Sequence, residues 1–193
     1  MDETARAALS DATQTAVLVL VPEAEAAVGQ HRAHLDVAAS WGVPAHLSVV
    51  YPFAPPADVD DHALASLSAA IGTVPGFDCV FARTEWFGDD VLWLAPDPDT
   101  PFRQLTTAVV AAFPAHQPYG GIYDEPVPHL TIGERRLGSA EQLDAAERSV
   151  REHLPVRARV DRAVLLAGRP EHASWKPVAE FRLAGAGLSD RRS

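Results

Sequence analysis

The sequence predicts two pseudo-symmetric halves, each mixing strands with helices, set around one groove. Three repeats point to this. The tetrapeptide His46-Leu47-Ser48-Val49 recurs as His129-Leu130-Thr131-Ile132. Each copy is led in by Val-Pro, at Val43-Pro44 and at Val127-Pro128. Upstream, the run Val17 to Pro22 resembles Val91 to Pro96, and each run precedes a helical pattern that leads to a histidine segment. A repeated order of strand, helix, histidine strand, helix and strand predicts an approximate two-fold axis. Such an axis places the two histidine strands at equivalent positions on opposite walls.

The elements follow in order. Residues 1–14 are polar and read as a flexible N-terminal segment, 186–193 as a flexible C-terminal tail, and 15–185 as a single bilobal domain. Thr15 to Val21 is apolar and strand-like. Pro22 opens a helix whose inner face is Ala24, Val28, Leu35 and Ala39. The histidine strand at 46–51 stops at Pro52, and Pro55-Pro56 prevent its continuation. Asp58 is the expected N-cap of a helix over 59–71, with Asp60 and Asp61 near its positive end.

Strands at 77–86 and 90–95 flank the Gly88-Asp89-Asp90 turn and read as a hairpin. Thr100-Pro101 starts a helix with Phe102, Leu105, Val109 and Phe113 inward, and residues 114–126 form a Pro/Gly/aromatic loop. Ser139 and Gln142 form a capping box before a helix lined by Leu143, Ala146 and Val150. Two strands, at 156–167 and 174–184, close the chain around a Gly168/Pro170 turn.

A strand points residues i and i+2 to one face, so His46 projects with Ser48 and His129 with Thr131. Two such pairs facing one another supply two acid/base groups and two hydroxyl donors, a minimal set for phosphodiester chemistry. In a chain this size, roughly one His-x-Ser/Thr is expected by accident. His172-Ala173-Ser174 is that accident: it lies at a Pro/Gly turn, lacks the Val-Pro lead and precedes no helix. His31, His34, His62, His116, His153 and His172 read as solvated or structural.

With 193 residues, 47% hydrophobic and 22% charged, the chain suits one globular domain of ordinary size. A net charge of −10 argues against bulk binding of DNA or RNA, which depends on Lys and Arg neutralising phosphates. It leaves room for a small anionic substrate in a local pocket. The one cysteine, Cys79, lies in an apolar stretch, forms no intramolecular disulfide and reads as a small buried hydrophobe. No run reaches the roughly 20 apolar residues of a membrane span. The acidic start Met1-Asp2-Glu3 lacks a signal-peptide pattern, so a cytoplasmic location is the default expectation.

Pro44 to Phe53 and Val127 to Gly133 together resemble the paired motifs of the 2H phosphoesterase superfamily. The Tyr51-Pro52-Phe53 ending is closest to its 2′–5′ RNA ligase-like branch, and the resemblance spans about residues 15–184. It implies an α+β fold of two lobes, each an antiparallel sheet with packed helices, around a central cleft. It also implies metal-independent action on 2′,3′-cyclic or 2′–5′ phosphodiester bonds of nucleotides or RNA ends. The motif carries His46 and His129 as the catalytic pair and Ser48 and Thr131 as phosphate-binding residues. Ser48 stands where threonine is commoner; it keeps the hydroxyl but lacks the methyl that restricts χ1.

Histidine, with an ordinary pKa of about 6.5, serves as acid or base near neutral pH. Two imidazoles on opposite sides of phosphorus suit in-line displacement, and the hydroxyls would stabilise the non-bridging oxygens. Which histidine is the acid stays open. A metal site is the weaker rival, because neither histidine strand carries further ligands at suitable spacing. No Gly-rich phosphate loop or Gly-x-Ser-x-Gly occurs, so no cofactor and no serine nucleophile is expected. Tyr51, Phe53, Trp86 and Tyr119 are candidates for stacking a base, and Arg135 for reaching the phosphate. The ordinary reading of Trp86 and Trp93, as core or hairpin aromatics, is preferred. The expected partner is a small nucleotide or RNA end, with no membrane, and the expected state is a monomer. Two rival readings remain: a non-catalytic nucleotide- or RNA-end-binding module, or the same chemistry on a dedicated non-RNA metabolite.

Overall fold

The structure, a computed structural model, describes residues 1–123 and 125–185; the tail expected at 186–193 lies outside the described residues. The N-terminal segment expected to be loose instead holds α1 (Glu3–Ser10), capped by Asp2, with Ala5 and Leu9 buried. Only those two of its eight residues turn inward, too few to register as a period in the sequence. β1 (Gln14–Leu20) leads through a 3-10 turn at Pro22–Ala24 into α2 (Glu25–Leu35). The helix expected to run through Ala39 breaks at Asp36, which is extended (φ −128°, ψ 121°). Its carboxylate accepts from the Ala38 N–H and so starts the short α3 (Val37–Ser40).

β2 (His46–Val50) carries the first motif. α4 (Asp61–Ile71) is capped by Asp60 rather than Asp58, because Asp58 is taken into a 3-10 turn at Pro56–Asp58. β3 (Phe77–Phe87) and β4 (Val91–Asp97) make the expected hairpin, and α5 (Thr100–Ala112) starts at Thr100-Pro101. β5 (Leu130–Glu134) carries the second motif. α6 (Ala140–Arg151) has its capping box formed in both directions by Ser139 and Gln142. The closing pair of strands is in fact three: β6 (Val156–Val160), β7 (Arg162–Gly168) and β8 (Lys176–Arg182). Asp161 divides the first of them, and the two pieces enter different sheets.

The strands form two antiparallel four-stranded sheets, β2-β1-β7-β8 and β5-β4-β3-β6. Each histidine strand is therefore the edge of its sheet, beside the first strand of its own repeat. The strand after α4 joins the second sheet and β7 joins the first, so each half lends a strand to the other. Helices cross as well. α2 connects β1 to β2 yet packs on β5 and α6, whereas α5 connects towards β5 yet packs on β2 and α4. This exchange brings the edges β2 and β5 alongside one another.

Register exposes a second equivalence. In the first sheet Leu18 lies opposite Ser48, and the pairing then slips so that Val17 meets Val50. In the second, Trp93 lies opposite Thr131 and Leu92 meets Gly133. An extra residue thus follows the hydroxyl in both strands, Val49 in one and Ile132 in the other. Leu18 corresponds to Trp93, one position away from the match suggested by comparing Val17–Pro22 with Val91–Pro96. In a strand a shift of one residue exchanges the faces, so only the register identifies what lies beside each motif.

The main core unites residues of both sheets, including Leu47, Val49, Leu94, Leu130, Ile132 and Leu143. Cys79 is buried within it, and burial pushes its thiol up to about 12, in keeping with a structural role. A smaller apolar layer of Ala16, Leu18, Val43, Val164, Leu166 and Trp175 lies apart from it. That layer includes Leu18, the cross-strand neighbour of Ser48, so it underlies the face bearing the first motif. Among the described residues no helix is long and apolar enough to cross a membrane.

Close packing of α2 and α6 over the second motif depends on Gly133, where a Cβ would lie 2.7 Å from Leu143 Cδ2 and 2.8 Å from Leu35 Cβ. Gly133→Ala is therefore expected to cost about 1–3 kcal/mol through overpacking. Urea unfolding checks this as a lower midpoint at unchanged slope.

Candidate active site

Each histidine is fixed by its own lead-in. His46 Nδ1 lies 2.8 Å from the Pro44 carbonyl, and His129 Nδ1 lies 2.8 Å from the Val127 carbonyl. A carbonyl oxygen only accepts, so Nδ1 carries the proton in both rings and donates it backwards. Nε2 is then the unprotonated nitrogen of each neutral imidazole, free to take or hand on a proton. Both rings are half-buried, as are Ser48 and Thr131, while the alternating Leu47, Leu130 and Ile132 are sealed in the core. The strand geometry therefore presents each imidazole and its hydroxyl on one face.

The two rings sense each other and their surroundings. Burial is the main force that lowers His46 to about 3, and the Arg32 guanidinium and His129 push in the same direction. His129 is also lowered by burial, but the nearby Asp36 carboxylate opposes that by favouring its protonated form. Arg32 and Asp36 form a buried ion pair, Nη2 to Oδ2 2.8 Å, each side chain 3% exposed. One buried pair thus presents its positive member to His46 and its negative member to His129.

His129 also has an aromatic wall. Phe87 stacks on Trp93 at a centroid distance of 4.7 Å, and both meet the imidazole edge-on, at 4.9 and 5.9 Å. Trp93 Nε1–H is buried and lacks a partner among the described residues. Trp86 is half-buried against the main core, as its ordinary reading requires.

The remaining expected residues divide. Tyr51 and Tyr119 line a recess that also includes Ser48, Thr106 and Pro128. The Tyr51 hydroxyl donates to Gln14 Oε1 at 3.0 Å, and its ring meets Trp175 edge-on. Tyr119, at a left-handed φ of 54°, donates its N–H to the Tyr51 carbonyl. Its phenol is hydrogen-bonded with Ser48, and burial raises its pKa.

Phe53 does not belong to the site: it is 5% exposed and packs edge-on against Phe113 and His116 in the core. Arg135 does not belong either. It follows the far end of β5, roughly 20 Å along the strand from His129 at about 3.3 Å per residue. There its guanidinium donates to the Gly138 carbonyl.

Arg32 and Asp36 escaped the sequence reading. Their signal was an arginine continuing the inward run Ala24, Val28 at four-residue spacing, with a carboxylate four residues on. A charge on a core stripe has to be paired. Among the described residues no cluster of three or more His, Cys, Asp or Glu side chains is placed to hold a metal.

Residues 20–171 match the 2′-5′ RNA ligase superfamily. The chain belongs to that superfamily. Among curated proteins none matches it. Solved structures of superfamily-like shape include E. coli LigT bound to 3′-AMP, 17% identical, covering 90% of this chain and 99% of that one, with a TM-score of 0.56. E. coli LigT with NADP+ gives 17% identity and a TM-score of 0.55 over the same shares. A Thermus thermophilus protein is 19% identical over 89% of this chain and 98% of its own, with a TM-score of 0.60. At these identities the likeness is one of fold, and the two antiparallel sheets match the LigT-like fold.

Burying neutral imidazoles has a consequence for stability in this superfamily member. Between about 3 and 6.5 the unfolded chain protonates the residue-46 imidazole, whereas folded His46 stays neutral. The unfolded state then binds more protons, so stability falls as pH drops from 6.5 towards 3. Denaturant midpoints measured against pH should show that slope, and His46→Gln should flatten it.

Proposed function

We propose that this chain is a metal-independent phosphodiesterase acting on 2′,3′-cyclic or 2′–5′ phosphodiester bonds of nucleotides or RNA ends, with His46 as base and His129 as acid. The observation that carries the reading is the matched pair of imidazoles, each with Nδ1–H bound to its own lead-in and Nε2 left free. A site needing one proton acceptor and one donor on either side of phosphorus is served by two such nitrogens on neighbouring sheet edges. The small molecules named with E. coli LigT, 3′-AMP and NADP+, support a nucleotide-sized substrate.

In this reading a water beside phosphorus gives its proton to His46 Nε2 as its oxygen attacks. His129 enters the step as the imidazolium, protonated at both nitrogens; the departing ribose oxygen takes the Nε2 proton, leaving His129 neutral, and a phosphomonoester leaves. Ser48 and Thr131 donate to the non-bridging oxygens as charge builds on them. Arg32 keeps the base unprotonated, and Asp36 supports the acid. Tyr51 and Tyr119 border the recess and would contact the base or ribose. Neither histidine needs to turn, because the Nδ1 bond holds the ring while Nε2 exchanges its proton.

Offering 2′,3′-cyclic nucleotides in EDTA and following the phosphorus resonance tests this. Wild type should convert them at a rate indifferent to EDTA. His46→Ala and His129→Ala should each lose roughly 10²- to 10⁴-fold; turnover surviving both substitutions would remove the assigned roles. Thr131→Ala should cost about 10²- to 10³-fold in kcat, as for other donors to a developing oxyanion. The profile of kcat/KM against pH should keep its acid side far down, because His46 resists protonation to about 3. As pH rises, it should begin to fall below 6.5, where His129, lowered by burial, loses the proton it must donate.

A further inference from the structure

Each histidine strand is tied to a helix by one arginine, in the same way on both sides. Arg32, on α2, donates from Nη2 to the Val43 carbonyl at 3.3 Å. Arg103, on α5, donates from Nη1 to the Pro126 carbonyl, also at 3.3 Å. Val43 stands three residues ahead of His46, and Pro126 three residues ahead of His129. The next carbonyl along, of Pro44 or Val127, is the one that receives the Nδ1 proton. Each guanidinium is held by a carboxylate four residues away, Asp36 for Arg32 and Asp99 for Arg103, both at 2.8 Å. In the first half the aspartate follows its arginine; in the second it precedes it. The device is thus repeated in space while its sequence pattern is not.

We propose that Arg32 and Arg103 are positioning residues, each fixing the peptide plane next to the one whose carbonyl sets the tautomer and aim of its histidine. Little freedom separates the held carbonyl from the one that receives the proton. Pro44 has its φ locked by its ring, and Val127 is confined by the proline that follows it. The guanidinium anchors the first of the two planes, from which the acceptor carbonyl is set. For its kinetic consequence the proposal rests on the roles given to His46 and His129 above; for the state of the rings it does not.

The two arginines differ in setting. Arg32 and Asp36 are each 3% exposed, whereas Arg103 and Asp99 are 38% and 42% exposed. Among the described residues, the charged or titratable groups near His46 are Arg32 and Glu25 from α2, His129 just ahead of β5, and Tyr119 through its bond with Ser48. Near His129 they are Asp36 and His46. Loss of Arg103 should therefore release the His129 tautomer without moving a charge beside the ring. Loss of Arg32 should release the His46 tautomer and also raise its titration midpoint.

Imidazole nitrogen NMR reads both effects without a substrate. Arg103→Met, folded by circular dichroism, should give mixed tautomers at His129 and leave His46 as Nδ1–H. Its kcat on a 2′,3′-cyclic nucleotide should fall roughly 10- to 100-fold with KM unchanged, the scale of a small misplacement. Arg103→Lys, which keeps a cationic donor at the same helix position, should recover most of that loss. Arg32→Met alone strands the Asp36 carboxylate, so Arg32→Met/Asp36→Leu, which replaces the pair by apolar groups, is the matching variant. It should mix the tautomers at His46 and raise its midpoint towards the ordinary histidine value. Unchanged imidazole spectra in folded Arg103→Met overturn the proposal. Wild type inert towards every phosphodiester overturns the functional reading instead, while the spectra still judge the arginines.

Discussion

Strands β2 and β5 each end a sheet, and the two edges stand alongside without joining into one ladder. The site depends on that seam. Had the edges paired, the two sheets would form one continuous surface. Unpaired edges have free N–H and C=O groups that invite another strand. Here one carbonyl of the β2 edge and one just past its end are taken up by the opposite half. The Thr106 hydroxyl, on α5, donates to the Val49 carbonyl at 3.1 Å, and the Tyr119 N–H donates to the Tyr51 carbonyl at 2.7 Å. These bonds occupy carbonyls on and just beyond the β2 edge without making a sheet.

Within the seam, symmetry of geometry is combined with asymmetry of charge. Both rings share one tautomer, one backward hydrogen bond and one register against the neighbouring strand. The extra residue after each hydroxyl, Val49 and Ile132, supplies the same bend in both strands. The buried Arg32–Asp36 pair breaks the equivalence by giving the two imidazoles neighbours of opposite sign. A site built from two like halves thereby acquires unlike members. The aromatic wall of Phe87 and Trp93 beside His129 adds a second difference, since Leu18 holds the place of Trp93 on the other side.

Repetition made much of this legible in the sequence. His46-Leu47-Ser48 and His129-Leu130-Thr131 stood out because residue types, the Val-Pro lead and neighbouring elements all recurred together. Prolines and capping residues fixed most element ends. What escaped was set by partners distant in sequence. Asp161 could not be seen to divide the closing strand, because nothing local says that β6 and β7 belong to different sheets. Phe53 follows a motif residue and so invited a functional reading, but the α5 end and His116 enclose it. Arg135 was near in sequence to His129 yet at the wrong end of an extended strand. Arg32 went unremarked, because only the fold brings it and Asp36 to the two histidines.

The crossing of α2 and α5 carries a consequence for how such a chain is assembled. Each helix grows from one repeat and completes the core of the other, and β3 and β7 are exchanged in the same sense. Cut at the Gly88 turn, neither fragment would contain a finished hydrophobic layer. Acquisition of structure must therefore be collective, waiting on contacts between segments far apart along the chain, a regime in which folding is slow. The same interlocking means that the two repeats cannot be separated into independent modules.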